Sequence, residues 1–267
     1  MHQASKLHRW AVAGLGLGAL AGLLLQAPAR WLALACESAT GGQVHLLNPT
    51  GSIWNGSAQL ALGDASPGPA GQPPKDAAAL PGQVRWQLRP VWLGAELRIA
   101  TDCCNPADAP QALSLRTDWA ATGLRWTLSS AGSRWPAAML SGLGAPWNTL
   151  QPAGELVLNA HFSGTRVEGR PATDGRAQVS WLHAQSALST VRPLGSYQLD
   201  IEGGANTQVR LSTQQGPLQL EGSGQWVGDK LRFSGTAQAS PEEQTALGSL
   251  LNLIGQRKGA VSRISIG

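Results

Sequence analysis

From Val44 to the C-terminus, large apolar residues tend to recur at every second position rather than at every third or fourth. In the run VRWQLR at residues 84–89, each apolar side chain is followed by a charged or polar one. Successive side chains of a strand point to opposite faces of its sheet, so this alternation predicts β-strands with one apolar face. The same pattern occurs in Leu124–Ser129, Glu155–Phe162, Gln178–Leu182, Tyr197–Ile201, Gln208–Ser212, Pro217–Leu220 and Lys230–Gly235.

Turn-forming residues separate these runs. Gly203-Gly204, Gln215-Gly216 and Gly228-Asp229 each follow an alternating run, which predicts antiparallel hairpins. Between Leu194 and Ala237 the runs follow one another closely enough for an uninterrupted meander. With 33 glycines, 17 prolines and 13% charged residues, the composition is also typical of a mainly β protein outside the cytoplasm.

Two segments interrupt the alternation before the C-terminal region. Asp64–Pro81 is rich in proline and glycine, which predicts a mobile, exposed loop. Arg134–Leu143 places Trp135, Met139 and Leu143 at helical spacing, which predicts a short helix that covers an edge or an end of the sheet.

Helix signals also occur near the C-terminus. Ser240 followed by Pro241 and Glu243 predicts a helix start with a capping box. An apolar stripe follows, and Gly255 is predicted to end the helix. The stripe consists of Leu247, Leu250, Leu251 and Ile254. The alternation returns at Val261–Ile266, which predicts a last strand.

The N-terminal segment has a different composition. Residues 10–25 are apolar and uncharged, and they follow a basic flank that contains Lys6 and Arg9. With the apolar residues that continue to Ala35, the run approaches the ~20 residues that a membrane-spanning helix needs. Because basic flanks stay on the cytoplasmic side, the sequence predicts a cytoplasmic tail at 1–9, a single transmembrane anchor at 10–30 and an extracytoplasmic β domain at 31–267.

Two processing events are alternatives to an uncleaved anchor. Ala27-Pro28-Ala29 and Ala33-Leu34-Ala35 both resemble the small-x-small cleavage sites of signal peptides. Cys36 follows the second of these sites, at the position of a lipidated cysteine. Cleavage at either site would release the domain or anchor it differently.

Three glycines of the predicted anchor, Gly14, Gly18 and Gly22, recur at every fourth residue. Residues at this spacing share one face of a helix, and small residues there allow a second helix to approach closely. Glycine is also common in membrane helices in general. The three glycines are therefore helix-packing candidates.

The formal net charge of +4 does not indicate a nucleic-acid-binding protein. Three of the 20 basic residues, Lys6, Arg9 and Arg30, precede residue 31, which leaves 17 basic against 16 acidic residues in the predicted domain. Nucleic-acid-binding domains instead carry a clustered basic face.

The three cysteines are Cys36 and the adjacent pair Cys103-Cys104. In an oxidising compartment, one cysteine of the pair could bridge to Cys36 and leave an odd thiol. Three cysteines without a nearby histidine do not supply the four ligands of a zinc site.

No constellation of catalytic residues is recognisable. The five histidines, His2, His8, His45, His161 and His183, are scattered and form no metal-binding pair such as H-E-x-x-H. A nucleophile elbow and a phosphate-binding loop are also missing from the sequence. The sequence therefore predicts a protein that is not an enzyme, without catalytic residues, a metal site or a cofactor.

Tryptophan is the most informative aromatic residue, with eleven copies against two phenylalanines and one tyrosine. Trp86, Trp126, Trp181 and Trp226 fall on the apolar positions of four predicted strands. One interpretation is core packing. The other is that an open, curved sheet exposes part of this apolar face as a groove for lipid tails or for a partner protein.

Several segments resemble, in order, the type II secretion system protein N family. Residues 51–56, GSIWNG, are similar to a Gly-x-x-Trp-x-Gly turn of that family, through Gly51, Trp54 and Gly56. Residues 84–93 are similar to its Trp-x-Leu-x-Pro element. Further similar segments are Pro152–Leu156, Gly175–Trp181, Leu194–Tyr197, Gly216–Gly222 and Leu253–Gly255.

The resemblance implies a single-pass protein of the inner membrane with most of its chain in the periplasm. It implies a non-enzymatic accessory role in the type II (general) secretion system, through contacts with other inner-membrane and periplasmic subunits. The implied fold is an elongated, bent antiparallel sheet like that of AsmA-like envelope proteins, with one or two short helices. A periplasmic lipid-binding or lipid-transfer module with an apolar, Trp-rich concave face is the alternative, with phospholipid as the possible ligand. The Pro-rich loop Asp64–Pro81 and Cys103-Cys104 depart from the family pattern.

Overall fold

The computed structural model describes residues 14–16, 18, 22, 25–63, 77–104, 113–120, 123–167, 170–204, 206–227 and 230–267. The strands of the first half are β1 Val44–Gly51, β2 Asn55–Leu62, β3 Ala78–Ala79, β4 Val84–Val91, β5 Gly94–Thr101, β6 Leu113–Ala120 and β7 Gly123–Pro136. Those of the second half are β8 Pro152–Val167, β9 Arg170–Ser186, β10 Gly195–Gly204, β11 Gln208–Gln215, β12 Leu218–Val227, β13 Lys230–Ala239, β14 Gln256–Lys258 and β15 Val261–Ile266. The helices are α1 Ala29–Ala39, α2 Trp147–Leu150 and α3 Gly248–Ile254, with 3-10 helices at Ala137–Leu143 and Pro241–Glu243.

Within the described ranges, fifteen strands form a single open antiparallel sheet in the order β1-β2-β4-β5-β6-β7-β8-β9-β10-β11-β12-β13-β15-β14, with β3 paired to β2. Neighbouring strands lie ~4.8 Å apart, so this path is roughly 60 Å wide. The prediction of a mainly β, antiparallel fold is confirmed. Seven of the eight alternating runs lie within a strand, the eighth lies in β12 except for Pro217, and Leu194–Ala237 forms the predicted meander. The predicted turn Gly228-Asp229 lies outside the described residues.

The alternation separates two chemically different faces of the sheet. Residues that pair across antiparallel strands lie on the same face. One row across β8 to β13 consists of Ala160, Ala177, Ile201, Val209, Gly224 and Phe233. The adjacent row consists of Asn159, Gln178, Asp200, Arg210, Ser223 and Ser234. We call the face of the first row the apolar face and that of the second row the polar face.

Three separate clusters bury parts of the apolar face. At the N-terminal end, α1 packs Ala29 and Leu32 against Trp86. Beside it, the 3-10 helix Ala137–Leu143 contributes Met139 to a cluster around Leu80. At the C-terminal end, the buried residues are Leu194, Leu218, Ala237, Ala239, Leu247, Leu250 and Leu251.

Between these clusters the apolar face is only half-buried. Leu128, Phe162, Leu199 and Leu211 are intermediate in exposure and belong to none of the three clusters. Among the described residues, the central strands therefore carry an apolar surface without a cluster that covers it.

Neither border of the sheet presents a long regular strand. β1 contains a bulge at Asn48 and Pro49, where Asn48 has a φ of 49° and the pairing with β2 shifts. The other border is β14, three exposed residues that include Arg257 and Lys258. Bulges, proline and short charged strands are features that discourage edge-to-edge association.

The N-terminal region differs from the pattern predicted for it. Ala27 accepts a hydrogen bond from the Ile53 N–H at 2.9 Å, and Pro28 forms a β-bridge with Ser52. The helix α1 that follows is a separate element, whereas the sequence pattern treats the residues up to Ala35 as a continuation of the anchor's apolar run. Residues 10–13, 17, 19–21, 23 and 24 of the anchor predicted at 10–30 lie outside the described residues. No helix that the structure describes has both the length and the hydrophobicity to cross a membrane.

Arg134–Leu143 is helical only in part. Strand β7 continues to Pro136, and the 3-10 helix begins at Ala137. Trp135 therefore lies in the strand, where it pairs with Leu156 and packs against the Met139 cluster. The prediction was wrong about the start and the type of helix, because the strand propensity of residues 134–136 is satisfied by pairing with β8.

The C-terminal helix is confirmed, but its predicted cap is wrong. Ser240 makes no side-chain capping hydrogen bond, and Pro241–Glu243 form a 3-10 turn that is separate from α3. The apolar stripe does face the sheet, with Leu247, Leu250 and Leu251 buried. Gly255 ends α3 in an extended conformation, and β15 is the predicted last strand.

The loop predicted at Asp64–Pro81 is ordered at its C-terminal end. Ala78 and Ala79 pair with β2, and Leu80 is fully buried. The expectation of a loop is therefore wrong for Ala78 and Ala79, and that of exposure is wrong for Leu80, which packs with Met139 and Val84. Residues 64–76 lie outside the described ranges.

Candidate functional site

The turn between β1 and β2 brings together the residues of the Gly-x-x-Trp-x-Gly pattern and Trp86. Gly51 pairs with Gly56 and has a φ of 85°, a conformation that favours glycine. Gly56 also lies opposite Trp86, and a Cβ on Gly56 would collide with the indole ring. The Trp86 indole N–H donates to the Ser52 carbonyl at 3.2 Å.

Trp54 connects the same turn to β4. Its carbonyl accepts a hydrogen bond from the Leu88 N–H at 2.7 Å. Trp86 itself is 4% exposed. The motif therefore has a structural role. Together with Trp86, the residues Gly51, Trp54 and Gly56 close the N-terminal end of the sheet.

The other three singled-out tryptophans also lie on the apolar face, and all are half-buried. Trp126 lies over Gly164, whose missing side chain makes room for the indole. Trp226 pairs with Leu231 on the neighbouring strand. Neither is buried as completely as Trp86.

Trp181 belongs to a small aromatic pair. Its ring meets Tyr197 edge to face with centroids 6.1 Å apart, and its N–H donates to the Ala153 carbonyl at 3.1 Å. The Tyr197 hydroxyl donates to the Leu218 carbonyl at 3.0 Å, and burial raises the pKa of Tyr197 above its usual range. Trp181 and Tyr197 thus connect β8, β9, β10 and β12 across the apolar face.

The polar face of β7 to β13 forms an open concavity of about 990 Å³, which we call the polar trough. Its side chains come from two rows of the polar face that flank the backbone of the Ala160–Phe233 row. They include His161, Arg176, Asp200, Glu202, Arg210 and Arg232.

Charges within the polar trough are only partly paired. Arg176 and Glu202 form an ion pair with an N–O distance of 3.8 Å, and both are well exposed. Asp200 accepts hydrogen bonds from Gln178 at 3.3 Å and from Gln198 at 2.9 Å. Arg210 lies directly across from Asp200 in the register. Among the described residues, it has no carboxylate within 4.0 Å.

The trough and the predicted tryptophan groove lie on opposite faces of the sheet. The alternation of the sequence does not predict the trough, although the trough residues occupy the polar positions of the predicted strands. Which polar residues become neighbours depends on strand register, and alternation within a single strand does not encode register.

Gly14, Gly18 and Gly22 are all helical and exposed, and no atom lies within 4 Å of a Cβ built on any of them. The described residues thus leave this glycine face open. Its proposed helix partner stays a prediction.

Three cysteine thiols are free. Cys103 packs into the Met139 cluster, whereas Cys104 is exposed and has a φ of 75°. Burial, followed by the neighbouring Cys104, raises the pKa of Cys103 to about 12. Burial also raises the pKa of the Cys36 thiol.

Cys104 is expected to react with iodoacetamide before Cys103 and Cys36 when the folded chain is treated at neutral pH. The thiolate is the nucleophile, so a raised pKa and burial both slow alkylation. A short pulse followed by peptide mass spectrometry measures the order. The urea-unfolded chain is the control, because there all three thiols should react at similar rates. Faster labelling of Cys103 than of Cys104 in the folded chain would contradict the packing described.

The histidines that the structure describes are dispersed. His45 is buried with its Nε2 unpartnered, and its Nδ1 lies 3.8 Å from a Glu37 oxygen. His161 and His183 are exposed on strands β8 and β9. In the described part of the chain, no group of three or more histidine, cysteine, aspartate or glutamate residues could hold a metal ion.

Comparison with known proteins identifies the family. The sequence model for type II secretion system (T2SS), protein N matches residues 42–265, from just before β1 to the end of the sheet in β15. No curated protein matches the chain, and no solved structure matches it. The resemblance noted from the short motifs is thereby confirmed, and the chain belongs to the type II secretion system protein N family.

Proposed function

We propose that this protein is a non-enzymatic accessory component of the type II secretion system that is anchored in the inner membrane and exposes its sheet to the periplasm. The family match over residues 42–265 carries the proposal, because it includes the whole sheet. The apolar residues 10–25 after a basic flank support the single-pass anchor with a cytoplasmic tail.

Two surfaces are the proposed contacts with other secretion subunits. Gly14, Gly18 and Gly22 would meet an inner-membrane helix, since no described residue occupies their face. The polar trough would meet a periplasmic subunit. Arg210, which pairs with no carboxylate among the described residues, and the hydrogen-bonding side chains of the trough suit a polar protein surface.

Site-specific photo-crosslinking in cells tests this function. A photoreactive residue at Arg210 or at Gly18 is expected to capture other secretion subunits, which mass spectrometry would identify. The exposed Gln244, which lies in the turn before α3 and outside both surfaces, is the control position. If no secretion subunit is recovered from Arg210 or from Gly18, the accessory role is contradicted.

The half-buried centre of the apolar face favours a second candidate, a lipid-binding or lipid-transfer module. Phe162, Leu199 and Leu211 would contact acyl chains there, because no cluster of described residues covers them. Native mass spectrometry of the detergent-extracted chain would then show retained phospholipid. Consistently lipid-free protein would exclude this candidate and leave the accessory role unaffected.

A further inference from the structure

Four large apolar side chains are exposed together at the ends of two neighbouring hairpins. Trp92 and Leu93 form the turn between β4 and β5, and they are 90% and 61% exposed. Trp119 and Leu124 flank the turn between β6 and β7, and they are 64% and 42% exposed. We call these four residues the tip patch.

The tip patch is a continuous surface on paired strands. The Trp119 N–H donates to the Leu93 carbonyl at 2.9 Å, and this bond joins the two hairpins. Trp119 and Leu124 are opposite each other in the register of β6 and β7. The four side chains are therefore held next to each other by backbone pairing.

The chain that precedes Ala27 leaves the sheet at the same end as the tip patch. The β1–β2 turn lies level with Leu88 and so points toward the β4–β5 turn. Ala27 and Pro28 pair with that turn. Helix α1 then runs from there to the opposite end, where the Gly63 N–H donates to the Gln43 carbonyl and β1 begins its return.

Three exposed arginines lie at the same end of the sheet as the tip patch. Arg30 opens α1, Arg89 lies three residues before Trp92, and Arg125 follows Leu124. The nearby carboxylates are Asp118, which lies across from Arg125, and Glu96, which lies across from Arg89 and pairs with Arg98 at 2.8 Å. Tryptophan with flanking arginines is the composition that proteins place at the interface of a phospholipid bilayer.

We propose that the tip patch inserts into the headgroup region of the phospholipid bilayer from which the N-terminal segment emerges. The sheet then stands with its β4–β7 hairpin ends on the membrane and with both of its faces accessible. This inference rests on the proposed membrane location of the chain, and it adds a second membrane contact made by the domain itself.

Photo-crosslinking to lipid in reconstituted vesicles tests the proposal. The full chain with Trp92→p-benzoyl-phenylalanine is reconstituted in vesicles of phosphatidylethanolamine and phosphatidylglycerol, irradiated and analysed for lipid adducts. The matched control is Leu188→p-benzoyl-phenylalanine. Leu188 is an exposed loop residue, 44% accessible, between β9 and β10 at the opposite end of the sheet. Because both positions are exposed, neither substitution is expected to disturb the fold. Unchanged far-ultraviolet circular dichroism would verify this for both variants.

We expect at least a tenfold higher yield of lipid adducts from position 92 than from position 188. Equal yields from a chain that co-floats with the vesicles would overturn the tip contact and leave the proposed anchor intact. Capture of a protein rather than of lipid at position 92 in cell envelopes would overturn it in favour of a protein interface. A chain that does not co-float at all contradicts both the anchor and the tip contact.

Discussion

Replacing Trp86 by alanine is expected to lower the free energy of unfolding of the N-terminal end of the sheet by about 3–5 kcal/mol. Trp86 is 4% exposed, contacts Ala29 of α1 and lies over Gly56. Its indole N–H also holds the Ser52 carbonyl of the β1–β2 turn. Denaturant unfolding of the detergent-solubilised full chain, followed by circular dichroism, measures the loss.

Trp92→Ala is the matched control, because the same atoms are removed from a side chain that is 90% exposed. Its effect on unfolding in detergent should stay within about 0.5 kcal/mol. If the two alanine variants unfolded at the same denaturant concentration, the packing of α1 and the β1–β2 turn on Trp86 would be refuted.

Leu251→Ala is expected to cost about 2–5 kcal/mol at the other end of the sheet. Leu251 is 1% exposed and belongs to the cluster that joins α3 to β12 and β13. Its carbonyl also accepts a hydrogen bond from the buried Ser262 hydroxyl at 2.7 Å. Loss of the side chain would loosen α3, and limited proteolysis at 240–260 together with denaturant unfolding would measure this.

Leu253, two residues further along the same helix, is 52% exposed and supplies the control. Leu253→Ala should leave stability and cleavage nearly unchanged, since alanine is the better helix former and little surface is lost. Comparable damage from both substitutions would mean that α3 does not pack on the sheet through Leu251. The clusters around Trp86 and Leu251 share no residue, so each pair of variants reports on its own end.

Local signals in the sequence predict most of the strands, because alternation is a property of each strand alone. The runs at 84–89 and 208–212 illustrate this, since both lie within observed strands. Helix α1 is harder to predict. Trp31–Ala35 continues the apolar run of the anchor, and the chain is interrupted at Pro28 by its pairing with Ser52, which is a long-range contact. The capping box at Ser240 fails for a similar reason. Pro241 starts a 3-10 turn instead of the helix. The α-helix begins only at Gly248, where Leu247 and Leu250 pack against the sheet.

The candidate surfaces are less predictable than the strands. The packing of Gly56 against Trp86 follows from a family motif, which sequence comparison can recognise. The polar trough requires Asp200 and Arg210 to be in register, and the tip patch requires Trp92 and Trp119 to share one end of the sheet. Both depend on which strands become neighbours, a long-range property that no single strand contains.

The bulge at Asn48 and Pro49 and the three-residue β14 have a consequence for assembly. A regular border strand offers free N–H and C=O groups on which another chain can continue the hydrogen-bonding ladder. Here Pro49 supplies no N–H, and the opposite border stops after Lys258. These two borders therefore discourage growth of the sheet by strand pairing with copies of the chain. A partner protein is therefore expected to meet the sheet on a face or at the ends of its strands.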